Sequence, residues 1–484
     1  MKKIFNIFVF SLVLGTAAFA QTTMKTAYFL DGYDFRHRLN PATPSARSYF
    51  ALPALGYTSV GVSSNLGINT FLYPTADGGL TTFMSNQVDA DTFLGRLSKN
   101  NIISQDLNTT LLSIGAWGKK NGFTTVELNL RETASVNLPR DLFSFMKNVG
   151  GAQSYNISNL GVKTRAYAEL SLGQSQRISD KLVVGAKVKA LLGLASADLN
   201  IKKMNLEMSE DRWRVEADGV LQASVGDFVH IPTYGESGTV PEGKTADQID
   251  FSGIGLNSGF KPSSVLGGFG VAFDLGFSYE IFKGLTVSAS VLDLGFIHWK
   301  SSVFARTKEG NSWEFNGFEN VSLDENSENS INNQFNKIGE DLQELIVLYK
   351  QESGAYNEML SATINAAVEY KMPFWDGMSV GGLFTTRIQG SHTQCEGRVS
   401  LNIAAGNCLG FSASYGLSNF GSTFGAYLNL HCRAIDFFVG TDSIVTNFAP
   451  YNNLLVPYKR LNLAMNFGLA FNVSKRLDKR GFFK

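Results

Sequence analysis

The sequence predicts an all-β fold, a transmembrane antiparallel β-barrel of about 14–16 strands, and three observations support this class. Apolar residues alternate with small or polar residues along most of the chain. Beyond the first twenty residues, no stretch reaches the roughly 18 consecutive apolar residues that a membrane helix requires. Charged residues make up only 17% of the chain, against roughly 25% in soluble proteins. A chain of this kind enters lipid only as strands that close their hydrogen bonds around a ring.

The clearest alternation lies near the C-terminus, where seven apolar residues at every second position face away from Asn, Ala and Gly. The apolar face comprises Leu461, Leu463, Met465, Phe467, Leu469, Phe471 and Val473. Its length matches a tilted strand across a bilayer, which takes about 9–11 residues. The small and polar face suits the interior of a barrel. The same pattern recurs within 126–131, 182–192, 273–281, 362–370 and 409–417.

About sixteen strands follow from this pattern, and the lengths of their connections alternate. We expect them near 47–62, 108–118, 123–136, 162–173, 181–195, 198–208, 212–224, 269–281, 285–297, 361–371, 377–389, 394–405, 408–417, 422–432, 434–441 and 459–473. The 198–224 pair is the least certain, because 181–224 can instead form one long hairpin that projects from the membrane, which leaves about fourteen strands. With the N-terminus in the periplasm, every second connection is short, including 209–211. All the long connections fall on the other side, as in bacterial outer-membrane barrels.

The chain divides into four parts. Residues 1–20 read as a signal peptide, with Lys2 and Lys3, an apolar run and an Ala18-Phe19-Ala20 cleavage site. The alternative, a retained membrane helix, needs a longer apolar run than this one. Residues 21–46 form an N-terminal periplasmic or hatch segment, residues 47–473 the outer-membrane barrel, and residues 474–484 a periplasmic tail.

Two interpretations of the N-terminal segment stay open. It either folds into the lumen as a small hatch, with its charges paired to strand residues, or forms a loose periplasmic lead-in. It is far too short for the globular plug of an energy-coupled importer. The candidate hatch residues are Arg36, His37, Arg38 and Asn40, and the candidate lumen charges are Glu127, Arg131, Glu169 and Lys187.

Two segments have helical periodicity. The first lies in the longest outer loop, and its apolar face includes Phe335, Ile338, Leu342 and Leu345. The second is short, contains Pro139 and 142–146, and has Asn137 as a candidate N-cap. The outer-loop helix is either a lid or partner-docking surface, or a helix that fills space at the barrel rim. The second interpretation is the simpler one.

No arrangement of residues points to catalysis, a cofactor or a metal. The five histidines lack a second ligand at metal-binding spacing, and phosphate-binding and nucleophile-elbow motifs are missing. Ser412, Ser414 and His431 fall on the predicted lumen face, which disfavours an outward-facing lipid hydrolase. Cys408 and Cys432 either form a cross-strand disulfide or, as the simpler interpretation has it, line the wall as small apolar residues. Acidic and basic residues balance at 42 each, so no net field attracts nucleic acid.

Several short motifs resemble a family of uncharacterised outer-membrane β-barrels, a domain of unknown function. They are Asn40-Pro41-Ala42, the Tyr279-Glu280…Gly284-Leu285 turn, and Val291-Leu292-Asp293-Leu294-Gly295 followed by Trp299. That family is similar in architecture to fatty-acid-transporter-like barrels and to secretion-shuttle (PorV-type) barrels. The resemblance implies a barrel of about fourteen to sixteen strands in the outer membrane of a Gram-negative cell. It implies no ligand and no site residue.

Two functions follow as expectations. The first is passive transport of hydrophobic or small amphipathic solutes, gated by the N-terminal segment, because the predicted lumen face is Gly, Ser and Asn with few charges. The second is a non-transporting barrel whose outer loops bind or hand on a protein partner. The expected partners are therefore outer-membrane lipid and either a hydrophobic small molecule or a protein at the outer loops. An enzyme ranks third.

Overall fold

Fourteen long strands form the frame of the molecule in a computed structural model. The structure describes residues 24–473 except 54, 76–78, 119–120, 149–152, 210–211, 227–228, 239, 257–265, 301–302, 317–329, 331–336, 338–339, 342–343, 391, 407, 433, 445–447, 452–453 and 458–459. The strands are β1 (in two pieces, Tyr49–Ala51 and Thr58–Gly67), β2 (Asn100–Trp117), β3 (Gly122–Pro139), β4 (Leu160–Arg177), β5 (Leu182–Met208), β6 (Gly268–Phe282), β7 (Leu285–Trp299), β8 (Ala362–Lys371), β9 (Met378–Ile388), β10 (Thr393–Ala405), β11 (Leu409–Ser418), β12 (Gly421–His431), β13 (Ile435–Thr441) and β14 (Arg460–Asn472).

The fourteen strands close into a single antiparallel ring. Each strand pairs with its neighbours in the sequence, and the ring closes where β1 pairs with β14, for example at Val60 opposite Met465. The first strand also pairs with β2 on its other side. Within this ring every wall strand has a hydrogen-bonded neighbour on both sides, as a sheet in lipid requires. The class predicted from the alternation, an all-β antiparallel barrel, is confirmed.

The alternation in sequence becomes an inside and an outside of the wall. On β6, Phe273 and Leu275 are 45% and 55% exposed on the outer surface, whereas Asp274 between them is 2% exposed and points into the lumen. Apolar side chains thus cover the outside, and small or polar ones face the interior. Among the described residues, no helix is both long and apolar enough to span a membrane.

The strand count resolves at fourteen because the uncertain 198–224 pair does not belong to the wall. The strand β5 runs for 27 residues, far beyond the about 9–11 that cross a bilayer. Its second half pairs with Trp213–Ser224, and the two form a hairpin beyond the wall. The turn around 209–212 therefore lies at the tip of this hairpin, at the end of the barrel that carries the long loops, and not at the short-turn end as expected.

Apart from 209–211, the connections that were predicted to be short lie together at one end of the barrel. The turns between β2 and β3, β4 and β5, β6 and β7, β8 and β9, β10 and β11, and β12 and β13 lie at one end, called here the short-turn end. The opposite end, called here the long-loop end, carries the long connections and two short ones, at 389–392 and 419–420. The strand β2 begins at Asn100 rather than near 108, so it extends into the expected long loop.

A folded outer body rises from the long-loop end. Its sheet adds Gln153–Asn156, Trp213–Ser224, Val303–Arg306, Ser312–Phe315 and Tyr349–Gln351 to the far half of β5. The short strand Tyr356–Met359 pairs with the end of β7, and three small hairpins complete the strands: Leu72–Pro74 with Leu80–Thr82, Val229–His230 with Gly255–Leu256, and Phe448–Tyr451 with Leu454–Pro457. Apolar side chains such as Leu206, Val215 and Leu345 pack in its interior.

Short α-helices whose full span is described also lie at this end: α1 (Ile68–Phe71), α2 (Ala90–Leu94) and α3 (Arg140–Lys147). The short helix expected near 139–146 is α3, but its predicted cap is wrong. Asn137 belongs to β3 and donates from Nδ2 to the Asn159 carbonyl, while Pro139 occupies the N-cap position without a side-chain hydrogen bond. Strand pairing extends to Pro139 and therefore leaves Asn137 no freedom to cap.

Candidate functional site

The N-terminal residues 24–47, called here the plug segment, lie inside the barrel. The segment contains two 3₁₀ turns, Lys25–Ala27 and Arg36–Arg38. Gly32 joins them with φ +101°, a left-handed conformation that favours glycine. Tyr33 and Phe35 are 2% and 0% exposed, and they pack in an aromatic cluster with Tyr49, Tyr57, Phe123, Tyr427 and Phe438. The plug segment therefore has an apolar core of its own, shared with the barrel wall.

Wall glycines make room for the plug segment. At six of them, on six different strands, an added Cβ would lie 2.1–3.0 Å from a plug atom: Gly185, Gly276, Gly381, Gly410, Gly425 and Gly440. At Gly185 the nearest plug atoms are the backbone C and O of Pro41. At Gly185, Gly276, Gly381 and Gly425 the separation would be only 2.1–2.2 Å, so a side chain there would force the plug segment to shift. At Gly410 and Gly440 the plug atoms are the flexible ends of Leu30 and Met24. The lumen wall is thus shaped for this segment.

One ionic cluster links the plug segment to the wall through Arg38. Arg38 donates from Nε and Nη2 to Glu127 Oε1 at 2.8 and 2.6 Å. Lys187 Nζ lies 2.8 Å from the other oxygen, Glu127 Oε2. Glu127 and Lys187 are 1% and 4% exposed. Buried charges of this kind are stable only when paired and hydrogen-bonded, so the wall and the plug segment satisfy each other.

His37 sits in the same cluster as a neutral imidazole. Its Nδ1 lies 2.9 Å from Lys187 Nζ, and an ammonium group only donates, so Nδ1 accepts. Its Nε2 lies 2.6 Å from the Tyr49 hydroxyl and donates to it. Burial and the neighbouring ammonium of Lys187 hold the pKa of His37 well below its ordinary value of 6.5.

Asn40 fastens the plug segment to wall backbone. Its Nδ2 lies within 3.2–3.3 Å of the carbonyl oxygens of Phe277 and Ala289, and its Oδ1 accepts from Ala42 N–H at 2.9 Å. Arg36 is the most exposed of the four candidate hatch residues, and it pairs with Asp31, which in turn binds Lys371 of β8. All four candidate hatch residues therefore lie in the lumen, and Arg38, His37 and Asn40 contact the wall directly.

The remaining lumen charges form a second cluster on the wall itself. Arg131 Nη1 lies 3.0 Å from Glu169 Oε2 and 2.9 Å from Asp293 Oδ1. Lys189 Nζ lies 2.5 Å from Asp293 Oδ1 and 2.8 Å from Asp274 Oδ2. A bulge on β7 holds Asp293 at φ +58°, and Asp274 Oδ1 accepts from its N–H at 2.7 Å. The bulge thus turns Asp293 inward to join the cluster.

The first residues of the plug segment are held near the long-loop end. Lys25 Nζ lies 2.7 Å from Glu396 Oε2 of β10. The carboxylate of Asp442, at the end of β13, accepts from the backbone N–H groups of Lys25 and Thr26 at 2.9 and 2.7 Å. Arg398 donates to the Asp442 carbonyl oxygen at 3.1 Å. The connection between β13 and β14 therefore reaches inward to bind the start of the plug segment.

The structure brings all four predicted lumen charges, Glu127, Arg131, Glu169 and Lys187, into these clusters. The sequence did not reveal two of their partners, Asp293 and Lys189. It also did not reveal the other paired charges of the lumen: Lys25, Asp106, Asp274, Arg387, Glu396 and Asp442. Most of these residues also occupy the polar positions of an alternating strand, which is a usable signal. Their pairing, however, depends on barrel closure between residues that are far apart in sequence.

The predicted outer-loop helix lies mostly outside the described residues. This applies to Phe335, Ile338 and Leu342, whereas Leu345 is described and lies in a turn. Leu345 is 4% exposed and packs against the outer sheet. Residues 337, 340, 341 and 344 are helical.

The cysteines and the serine–histidine set show no reactive arrangement. Cys395, Cys408 and Cys432 are all free thiols, so the Cys408–Cys432 disulfide that the sequence left open is not formed. Ser412, Ser414 and His431 are buried and face the lumen, as predicted. In the part of the chain that the structure describes, no cluster of three or more His, Cys, Asp or Glu side chains could hold a metal ion.

Between the plug segment and the two ionic clusters, the lumen retains a cavity of about 50 Å³. Small-molecule sites usually measure about 300–1,000 Å³. In this conformation the cavity therefore has room for a few waters and none for a solute as large as an amino acid.

The closed ring of fourteen antiparallel strands, apolar outside and polar inside, defines an outer-membrane-type β-barrel with an occupied lumen. The chain belongs to a family of unknown function, DUF5723, whose model matches residues 41–442. No curated protein matches the sequence.

Solved structures of several outer-membrane barrels are similar to this chain. They include the toluene transporter TbuX of Ralstonia pickettii (9% identity, 94% of this chain and 98% of that one, TM-score 0.40) and the toluene transporter TodX of Pseudomonas putida (8%, 94% and 99%, TM-score 0.39). The translocator domain of the autotransporter NalP from Neisseria meningitidis is another (8%, 89% and 89%, TM-score 0.32). TM-scores this low carry no argument about what this chain does.

Proposed function

We propose that this chain is an outer-membrane barrel that passes small amphipathic solutes when its plug segment moves, and that the conformation described above is its closed state. The apolar outer surface supports a position of the barrel in lipid. The short-turn end then faces the periplasm and the outer body faces the outside, as in bacterial outer-membrane barrels.

The carrying observation is that a segment of the chain itself fills the lumen through non-covalent contacts. The wall site that holds the plug segment in the lumen, called here its seat, consists of glycines, ion pairs and hydrogen bonds. Because a cavity of about 50 Å³ has no room for a solute as large as an amino acid, passage of such a solute requires that the plug segment leave this position. Plug movement is therefore the gating step of the proposed transport.

The character of the lumen favours amphipathic over wholly hydrophobic solutes. Once the plug segment has moved, a solute meets Glu127, Arg131, Glu169, Lys187 and their partners. Displacing water and counter-charges from such groups is costly for an apolar molecule. A solute with a polar group can replace part of the lost hydrogen bonding.

A reversible lock tests this proposal. The hydroxyls of Thr26 and Ser414 lie 2.8 Å apart, one on the plug segment and one on β11. Thr26→Cys with Ser414→Cys, in a background where Cys395, Cys408 and Cys432 are Ser, places two thiols at this contact. Solute uptake is measured by liposome swelling with short-chain amino acids and alcohols.

Oxidation should abolish uptake and reduction should restore it, while either single-cysteine variant should be insensitive to oxidant. Uptake that continues in the oxidised double variant, with the disulfide confirmed by mass spectrometry, would refute gating by the plug segment.

A second candidate function, docking of a protein partner, rests on the outer body. The 27-residue β5 carries a packed sheet well beyond the wall, and a solute pathway does not need such a structure. Trp213 is 38% exposed on this sheet. A photocrosslinking residue at position 213 in living cells should give one discrete adduct if the outer body docks a partner, and no adduct would remove this candidate.

A further inference from the structure

We propose that the central lumen cavity binds a small monovalent anion, of the size of chloride or formate, which bridges the plug segment to the wall. The cavity lies between Arg38 of the plug segment and Asn108 and Arg131 of the wall, and it measures about 50 Å³. The inference does not depend on which solute, if any, the barrel passes.

Unused hydrogen-bonding atoms point to an occupant. Within the described part of the chain, Arg38 Nη1, Arg131 Nε and Asn108 Oδ1 are buried and have no hydrogen-bond partner. The side chains of Arg38 and Arg131 are 9% and 10% exposed, and Asn108 is 7% exposed. Leaving a buried charged donor without an acceptor costs more free energy than leaving a neutral one unsatisfied. Two buried guanidinium N–H groups of residues that line the cavity, one on the plug segment and one on the wall, therefore lack an acceptor.

The charges around the cavity favour an anion as that acceptor. Its lining includes six cationic and four acidic side chains. The carboxylates that pair with Arg387 and Lys25, Asp106 and Glu396, do not line it. The cavity surface is thus net positive, although the clusters around it are balanced. Guanidinium groups are weakly hydrated and form short charge-assisted hydrogen bonds with anions.

The cavity size limits the anion. A buried water needs roughly 10–15 Å³, so a cavity of about 50 Å³ holds about three to five waters. A chloride, or a formate with one water, fits this space, and that water can donate to Asn108 Oδ1. A benzoate does not fit.

An anion bound between Arg38 and Arg131 would stabilise the closed state, because Arg38 leaves the site when the plug segment moves. At a concentration ten times its dissociation constant, such an anion raises the ratio of seated to unseated plug segment by about elevenfold.

The direct test is binding of bromide, which replaces chloride and scatters anomalously. Crystals of the full mature chain in bromide should show an anomalous peak within hydrogen-bond distance of Arg38 Nη1 and Arg131 Nε. A cavity that contains only waters, without an anomalous peak, would overturn the proposal.

A solution measurement tests the same proposal independently. Release of the plug segment is monitored through the rate at which a protease cleaves it. This rate is measured in chloride, in formate and in benzoate at equal ionic strength. The unmodified protein should be protected several-fold better in the two small anions. Arg38→Gln should lose this difference, and so should Asn108→Asp, which adds a negative charge to the cavity with little change in shape.

Arg177→Gln, the same chemical change at the short-turn end outside the lumen, should retain the difference. Equal protection of the unmodified protein in all three anions would contradict the proposal, as would a small-anion effect that persists in both lumen variants.

Discussion

Gly381 on β9 offers the sharpest test of the plug seat. A Cβ at this position would lie 2.2 Å from the ring of Phe29. The ring is 4% exposed and packs among Tyr28, Leu39 and Leu383, so it has little room to move aside. The adjacent Gly382 faces outward, and a Cβ there would meet only Val368 Cγ1, at 3.5 Å. Gly381→Val and Gly382→Val are therefore a matched pair.

Forcing extra methyl groups into a packed interior costs about 1–3 kcal/mol. In Gly381→Val this cost falls on the contact between plug and wall. The ratio of seated to unseated plug should then fall by about 5- to 140-fold, since every 1.4 kcal/mol is tenfold. Gly382→Val should leave the ratio unchanged.

The assay is single-channel recording in planar bilayers, with the thermal unfolding of each variant measured in detergent to show that the barrel is intact. Gly381→Val should open more often than the unmodified protein, and Gly382→Val should behave as the unmodified protein does. Equal opening frequencies in two folded variants would refute the idea that this glycine seats the plug segment.

Three further predictions follow from the contacts of the plug segment. Arg38→Ala removes one partner of a buried pair and leaves Glu127 with only Lys187 and the Ser113 hydroxyl, so seating should weaken by up to about 3–5 kcal/mol, measured as faster proteolysis of the segment while the barrel stays resistant. Asp442→Ala removes the acceptor for the N–H groups of Lys25 and Thr26; proteolysis should begin at the N-terminal end of the segment, and unchanged protection would contradict this role. Burial and Lys187 depress the pKa of His37. As the pH falls, His37 in the released segment therefore binds a proton before His37 in the seated segment does. Seating should be strongest above about pH 6.5 and should weaken as the pH falls below it. His37→Gln should reduce this pH dependence, and an identical pH profile in that variant would exclude His37 as its source.

Local pattern was sufficient to predict the barrel wall. Alternation such as that of Phe273, Asp274 and Leu275 assigns each residue to one face, because strand side chains repeat every two residues. Connection lengths then identified the two ends. The exception was 198–224, where the alternation continues into the outer hairpin. Periodicity alone does not show where β5 leaves the membrane.

The plug segment could be predicted only in part. Its charges suggested partners on the wall, but no periodic pattern fixes its path, since it has only two short 3₁₀ turns. The contact between Pro41 and Gly185, or between Asn40 and Gly276, depends on which strands face each other across the closed ring. That information lies in long-range pairing, and alternation along one strand does not contain it.

Closure of the lumen by the plug segment is the claim on which the other proposals rest. The most direct measurement is the bilayer conductance of a variant that lacks residues 24–40, compared with that of the full chain, with both shown to be folded. We expect the full chain to be closed most of the time and the shortened chain to conduct continuously. A full chain that conducts as well as the shortened one, or a folded shortened chain that stays closed, would contradict the account.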